Sequence, residues 1–121
     1  YDLAMIKDNH IAAAGGIAQA VRLVRKHIPA YLRIEVETAN LNEVHEAIEA
    51  GADIIMLDNM SLEVMRKAVE YIDHRALTEA SGNVTLERIR AIAETGVDFV
   101  STGAITHSIR ALDISMKLQV S

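Results

Sequence analysis

Apolar runs of four to six residues alternate along the chain with longer segments in which apolar residues return every three or four positions. That alternation is the pattern of parallel βα units, in which a buried strand is followed by a helix packed over it. Five strands are expected, at Ala4–Lys7, Leu32–Glu37, Asp53–Leu57, Ala76–Glu79 and Asp98–Ser101. Between them, Gly16–Lys26 carries Ile17, Ala20, Val21 and Val24 on one stripe, and a fourth helix aligns Leu86, Ile89, Ile92 and Ala93 in the same way. Asn42–Glu49 and Ser61–Ile72 supply the second and third helices, with Ser61 suited to cap its helix and Glu63 in the first turn. The fold class expected is α/β, with five consecutive βα units forming a partial parallel (β/α) barrel. An opened, flavodoxin-like parallel sheet is the alternative.

An internal echo fits this reading. Glu49-Ala50-Gly51-Ala52-Asp53-Ile54-Ile55 and Glu94-Thr95-Gly96-Val97-Asp98-Phe99-Val100 share Glu-x-Gly-x-Asp followed by two apolar residues, 45 positions apart. In each copy the glycine is placed to close a helix with a left-handed turn before the chain enters a buried strand. These positions read as architecture rather than chemistry.

Composition narrows the class. With 121 residues, half of them hydrophobic, the chain reads as one domain over residues 1–121. A net charge of −5 and no basic run longer than Arg25-Lys26 argue against nucleic acid or an anionic membrane as partner. The absence of cysteine removes disulfides and thiolate metal sites, and the cytoplasm is the expected compartment. The first residues lack the order of a signal peptide, and no apolar run approaches the roughly 20 residues of a membrane span.

Parallel α/β sheets place ligands at the carboxyl ends of their strands. Those ends carry Lys7-Asp8-Asn9-His10, Glu35 and Glu37, Asp58-Asn59, Glu79-Ala80-Ser81-Gly82-Asn83, and Ser101-Thr102-Gly103-Ala104. If gathered on one rim, the set offers a lysine, two or three carboxylates and two small-residue turns. Its chemistry suits a phosphorylated ligand with a divalent cation. Glu37 and Asp58 are hard oxygen donors for Mg²⁺, Ser81-Gly82 and Thr102-Gly103-Ala104 let backbone N–H groups approach phosphate, and Lys7 adds a point charge. Taken singly, each has a plainer role as a solvated carboxylate or a routine turn. Glu35 shares a face with Glu37, one layer lower, and is expected to form a structural ion pair with a cation such as Lys7. The histidines His10, His27, His45, His74 and His107 show no helical pairing of the kind zinc sites use. His10 and His107 follow strand ends and are within reach of the rim, His107 near a helix start. Dinucleotide, P-loop and nucleophile-elbow motifs are missing.

Read in order, Met5-Ile6-Lys7-Asp8-Asn9-His10-Ile11, Ile34-Glu35-Val36-Glu37, Ile54-Ile55-Met56-Leu57-Asp58-Asn59, Glu79-Ala80-Ser81-Gly82 and Ser101-Thr102-Gly103-Ala104-Ile105-Thr106-His107-Ser108 form a recognisable series. The series resembles the nicotinate-nucleotide pyrophosphorylases (carboxylating), also called quinolinate phosphoribosyltransferases, and Ala111-Leu112-Asp113-Ile114-Ser115 looks like that family's C-terminal pattern. The resemblance implies a pentosyl transfer in NAD biosynthesis, in which quinolinate and phosphoribosyl pyrophosphate give nicotinate mononucleotide, pyrophosphate and CO₂, with Mg²⁺ beside the pyrophosphate. By that pattern Lys7 would contact the quinolinate carboxylates, while Glu37 and Asp58 would engage ribose hydroxyls or the metal. Ser81, Gly82, Gly103 and His107 would hold phosphate.

The resemblance also implies a separate N-terminal domain and a first part of the barrel that this chain does not contain. The family's arginine-rich quinolinate site has no counterpart here, so the expectation is a C-terminal catalytic-barrel fragment inactive by itself. Five βα units leave open edges, and a homo-oligomer is the expected remedy. The competing expectation is a non-catalytic half-barrel folding or assembly module that retains only phosphate binding.

Overall fold

The structure is a computed structural model that describes residues 3–103 and 105–110. Its elements run β1 (Leu3–Ile6), α1 (Asp8–Ala14), α2 (Ile17–His27), β2 (Arg33–Thr38), α3 (Leu41–Glu49), β3 (Ile54–Asp58), α4 (Leu62–Ile72), β4 (Leu77–Ser81), α5 (Leu86–Glu94), β5 (Phe99–Thr102) and β6 (Ile105–Ser108). The six strands lie in one sheet in sequential order, parallel from β1 to β5, with β6 antiparallel to β5. The sheet curls into a half-barrel. A flavodoxin-like arrangement requires the strand order to reverse once, placing helices on both faces. Here the order never reverses, so the opened-sheet alternative is set aside and the helices share one side.

That side holds the core. Ile6, Ile34, Val36, Ile55, Leu57, Ala80 and Val100 face it from the strands, and Ile17, Val21, Val44, Ala47, Met65, Ala68, Ile72 and Ile92 meet them from the helices. Of the helix stripes expected from the sequence, Ile17, Ala20, Val21, Ile89 and Ile92 are buried and Val24 and Ala93 half-buried, whereas Leu86, in the first turn of α5, is 73% exposed. Side-chain caps set several helix starts. Asn40 Oδ1 accepts the Glu43 N–H at 2.9 Å, and Ser61 Oγ accepts the Val64 N–H at 3.2 Å.

The 45-residue echo has a structural cause. Asp53 donates its N–H to the Ile34 carbonyl at 3.0 Å, and its Oδ2 accepts the Ile34 N–H at 2.8 Å. Asp98 repeats the exchange with Thr78, at 3.0 and 2.9 Å. Each aspartate thus closes the entry of its strand onto the strand before it, satisfying a backbone donor the ladder would leave open. Gly51 and Gly96, at φ of 84° and 95°, make the left-handed turns that aim the chain there.

Two elements depart from the sequence expectation. Asp8-Asn9-His10, expected with Lys7 as a polar strand end, begin the helix α1, which runs to Ala14 directly after β1. The expected five-strand set gains β6, because Thr102 pairs with Ile105 across a tight turn and sends the chain back along β5. Four residues of mixed polarity at an edge give little periodic signal, which is why β6 was not legible. The pattern at Ala111–Ser115 lies outside the described residues.

Candidate active site

Alternation along each strand divides the sheet into two chemically unlike faces. On the inner, concave face the register sets Met5, Glu35, Ile54 and Leu77 in one row, and Glu37, Met56, Glu79 and Phe99 in the next. Asp58 and Ser81 form the row above, at the carboxyl ends. An open cavity of about 420 Å³ lies over this face, lined among others by Lys7, Glu35, Glu37, Glu79, Ser81, Ser101 and Gly103.

Four residues named from the sequence therefore meet in one cavity: Lys7, Glu37, Ser81 and Gly103. Asp58 joins them indirectly, because Ser81 Oγ donates to Asp58 Oδ1 at 2.9 Å. The Ser81 hydroxyl thus orients a carboxylate as well as facing the cavity. Gly82 stands just outside, at φ 78°, where a Cβ would come within 3.1 to 3.2 Å of the Asn59 backbone. The same two turns are joined by an Asn59 N–H donated to the Ser81 carbonyl at 2.8 Å. This close approach brings the β3 and β4 ends together.

His107 is placed otherwise. It pairs with Val100, whose side chain belongs to the helix-side core, so its ring shares that face while its neighbour Thr106 lines the cavity. His10 is occupied locally, its Nδ1 accepting the Lys7 N–H at 3.1 Å at the start of α1.

Electrostatics follow from crowding. Burial and the nearby carboxylates of Asp58 and Asp8 push the Glu37 pKa up from its ordinary value, opposed by the Lys7 ammonium. Glu35 is 1% exposed, and one carboxylate oxygen has no hydrogen-bond partner among the described residues. Its expected ion pair with Lys7 is replaced by a hydrogen bond with the Glu79 carboxyl. Desolvation, that bond and the charges of Glu79 and Glu37 push the Glu35 pKa up to about 8. Crowding of this kind favours the protonated form of the Glu35 carboxyl. Lys7 is exposed at the rim, too far up the strand to serve the lower row.

The sequence places Glu79 and Ser101 at strand ends without giving either a role, and gives none to Thr106. Ser101 Oγ donates to Glu79 Oε2 and lies 3.1 Å from Thr106 Oγ1. The signal for Glu79 was available: it precedes Ser81 by two residues in a strand and so shares its face.

Among the described residues no group of three or more His, Asp or Glu is arranged to hold a metal by itself. Glu37 and Asp58 nevertheless suit Mg²⁺, which keeps several waters and takes one or two carboxylates plus substrate phosphates. The mutual repulsion of these two carboxylates is what a divalent cation would relieve.

Comparison with known proteins adds lineage to this geometry. Residues 1–117 match the family model for the quinolinate phosphoribosyl transferase C-terminal domain. The chain is 46% identical, over 98% of its length, to a chloroplastic nicotinate-nucleotide pyrophosphorylase (carboxylating) of Arabidopsis thaliana, and 43% identical, over 98%, to quinolinate phosphoribosyltransferase (decarboxylating) 1b of Nicotiana tabacum. In each case it spans 39% of the relative's length. The solved nicotinate-nucleotide pyrophosphorylase of Francisella tularensis superimposes with a TM-score of 0.81 at 49% identity, covering 89% of this chain and 39% of that one.

Proposed function

This chain belongs to the quinolinate phosphoribosyltransferase family, through its C-terminal domain, and from that premise we propose that its half-barrel carries the phosphoribosyl-donor side of the transferase site. The reaction inferred is the transfer of the phosphoribosyl group to quinolinate, giving nicotinate mononucleotide, pyrophosphate and CO₂ in NAD biosynthesis. The observation that carries it is the meeting of Lys7, Glu37 and Ser81 in one cavity, with Asp58 bonded to Ser81 at its edge.

In this reading Glu37 and Asp58 accept hydrogen bonds from the ribose hydroxyls and face the positive charge that grows on the sugar as its bond to pyrophosphate breaks. The pyrophosphate leaves with the bonding electron pair and the pyridine nitrogen forms the new bond; the bond from C2 to its carboxylate then breaks, CO₂ departs, and the electron pair left on C2 takes a proton from water. Lys7 attracts the anionic reactants, including the quinolinate carboxylates. The turns at Ser81-Gly82 and Gly103 present backbone N–H groups to phosphate. In place of the ribose contact, Glu37 and Asp58 would be the residues to hold Mg²⁺, which would supply positive charge beside the pyrophosphate. The position of His107 on the helix side of β6 does not support the phosphate role implied for it by resemblance.

A second reading has its own support. Among the described residues lining the cavity, Lys7 is the one cation, against Glu35, Glu37 and Glu79. Such a wall favours a donor bound with its metal over a free dicarboxylate, and we infer that these 121 residues by themselves bind phosphate without turning over quinolinate. A homo-oligomer fits the two open sheet edges at β1 and β6, and light scattering would read it directly. The cytoplasm is the proposed compartment; no described helix is long and apolar enough to cross a membrane.

The test is calorimetry with phosphoribosyl pyrophosphate and Mg²⁺. Binding is expected, and Asp58→Ala is expected to weaken it about 30-fold, the loss of a charge-assisted contact. Equal heats from the Asp58→Ala variant and the unsubstituted chain would refute the assignment.

A further inference from the structure

Backbone pairing between β4 and β5 is confined to Glu79 with Phe99 and Ala80 with Val100. Past Val100 the chain continues into the β5–β6 hairpin, whose Gly103 turn lines the cavity. Among the described residues β6 neighbours β5 alone, so the hairpin runs on past Val100, where the pairing of β5 with β4 ends. The Ser81 carbonyl at the matching height of β4 is engaged by Asn59, on the β3 side.

A side-chain bond spans this gap. Ser101 Oγ donates to Glu79 Oε2, and the same hydroxyl lies 3.1 Å from Thr106 Oγ1 on the returning strand. Glu79 thereby holds one arm of the hairpin directly, and Ser101 joins that arm to the other. Glu79 is itself buried, between Met56 and Phe99 in its row, where an apolar residue would be the less costly occupant. A carboxylate there repels a phosphate, so its value to an anion site lies in what it holds.

We propose that Glu79 is a positioning residue for the phosphate site: through Ser101 it clamps the β5–β6 hairpin to the sheet and sets the Gly103 turn against the anion. This rests on the reading of the cavity given above. The clamp works by geometry, since fixing the hairpin before the ligand arrives removes the cost of ordering it on binding.

The experiment titrates the full 121-residue chain with inorganic pyrophosphate and Mg²⁺ in a calorimeter, and follows amide hydrogen exchange at Gly103 without ligand. Glu79→Ala and Ser101→Ala are each expected to weaken binding about 10-fold, with the double variant no weaker than either single one. Glu79→Gln, which keeps an acceptor oxygen, is expected to recover binding to within about 3-fold. Exchange at Gly103 should rise in both alanine variants while Val36 and Leu57 keep their protection. Undiminished binding by both alanine variants, with binding lost in Lys7→Ala, overturns the clamp and leaves the site standing. A rise in exchange spread evenly over β1 to β3 also overturns it, because that is general loosening. No uptake of pyrophosphate by the unsubstituted chain overturns the site and the clamp together. Ser101→Ala removes one hydroxyl and keeps the test available should Glu79→Ala fail to fold.

Discussion

On β2, Ile34, Val36 and Thr38 are fully buried against the helices, whereas Glu35 and Glu37, each one residue out of step, belong to the cavity face. The same contrast repeats on β3, where Ile55 and Leu57 face the core while Met56 lines the cavity and Asp58 stands at its edge. One backbone thus serves two solvents. The helix side is held by burial of apolar surface, which is non-directional and tolerant of exchange among similar side chains. The cavity side is held by a few directional bonds among Asp58, Ser81, Glu79 and Ser101, and each of them fixes a position that matters for a ligand.

Neighbouring positions on one strand break this comparison most sharply. Leu57→Ala, on the core side, is expected to cost about 3 kcal/mol in urea unfolding, the removed contacts plus a void the helices cannot close. Met56→Ala, beside an existing cavity, should cost about half as much, and equal losses would show that the two faces are packed alike.

The next effect is electrostatic. The Glu35 carboxyl has an ordinary value of 4.5 and a folded value of about 8. Between those values the folded chain holds a proton that the unfolded chain has released. Stability is therefore full below about pH 4.5 and declines as pH rises towards 8. The expected decline is about 2 kcal/mol once water on the cavity side is allowed for. Glu35→Gln should flatten that part of the stability profile, while a slope that survives in the variant would assign the proton elsewhere.

A smaller effect belongs to the rim. Gly82→Ala meets both a left-handed φ and the Asn59 backbone, and should destabilise by about 1.5 kcal/mol while weakening pyrophosphate binding in the same titration. Ser61→Ala, which removes the α4 cap on the helix side, is expected to cost about 1 kcal/mol and to leave that binding unchanged. A loss of ligand in Ser61→Ala would mean that the two faces communicate.

The alternating periods of the sequence determined the strands β1 to β5, the existence of α2 to α5, the buried stripe of α2 and the Gly-x-Asp entries to β3 and β5, because those features depend on spacing within a few residues. They also marked Lys7, Glu37, Asp58, Ser81 and Gly103 as strand-end residues, since parallel strands all send their polar ends the same way. Only the tertiary structure decided what these residues meet. The pairing of Glu35 with Glu79 in place of Lys7, the bond from Ser81 to Asp58, the turning of His107 onto the helix side and the hold of Glu79 on the hairpin all join positions at least 20 residues apart or depend on register between strands. Register is set by how the whole sheet twists and closes over its core, a global property that local periodicity does not contain.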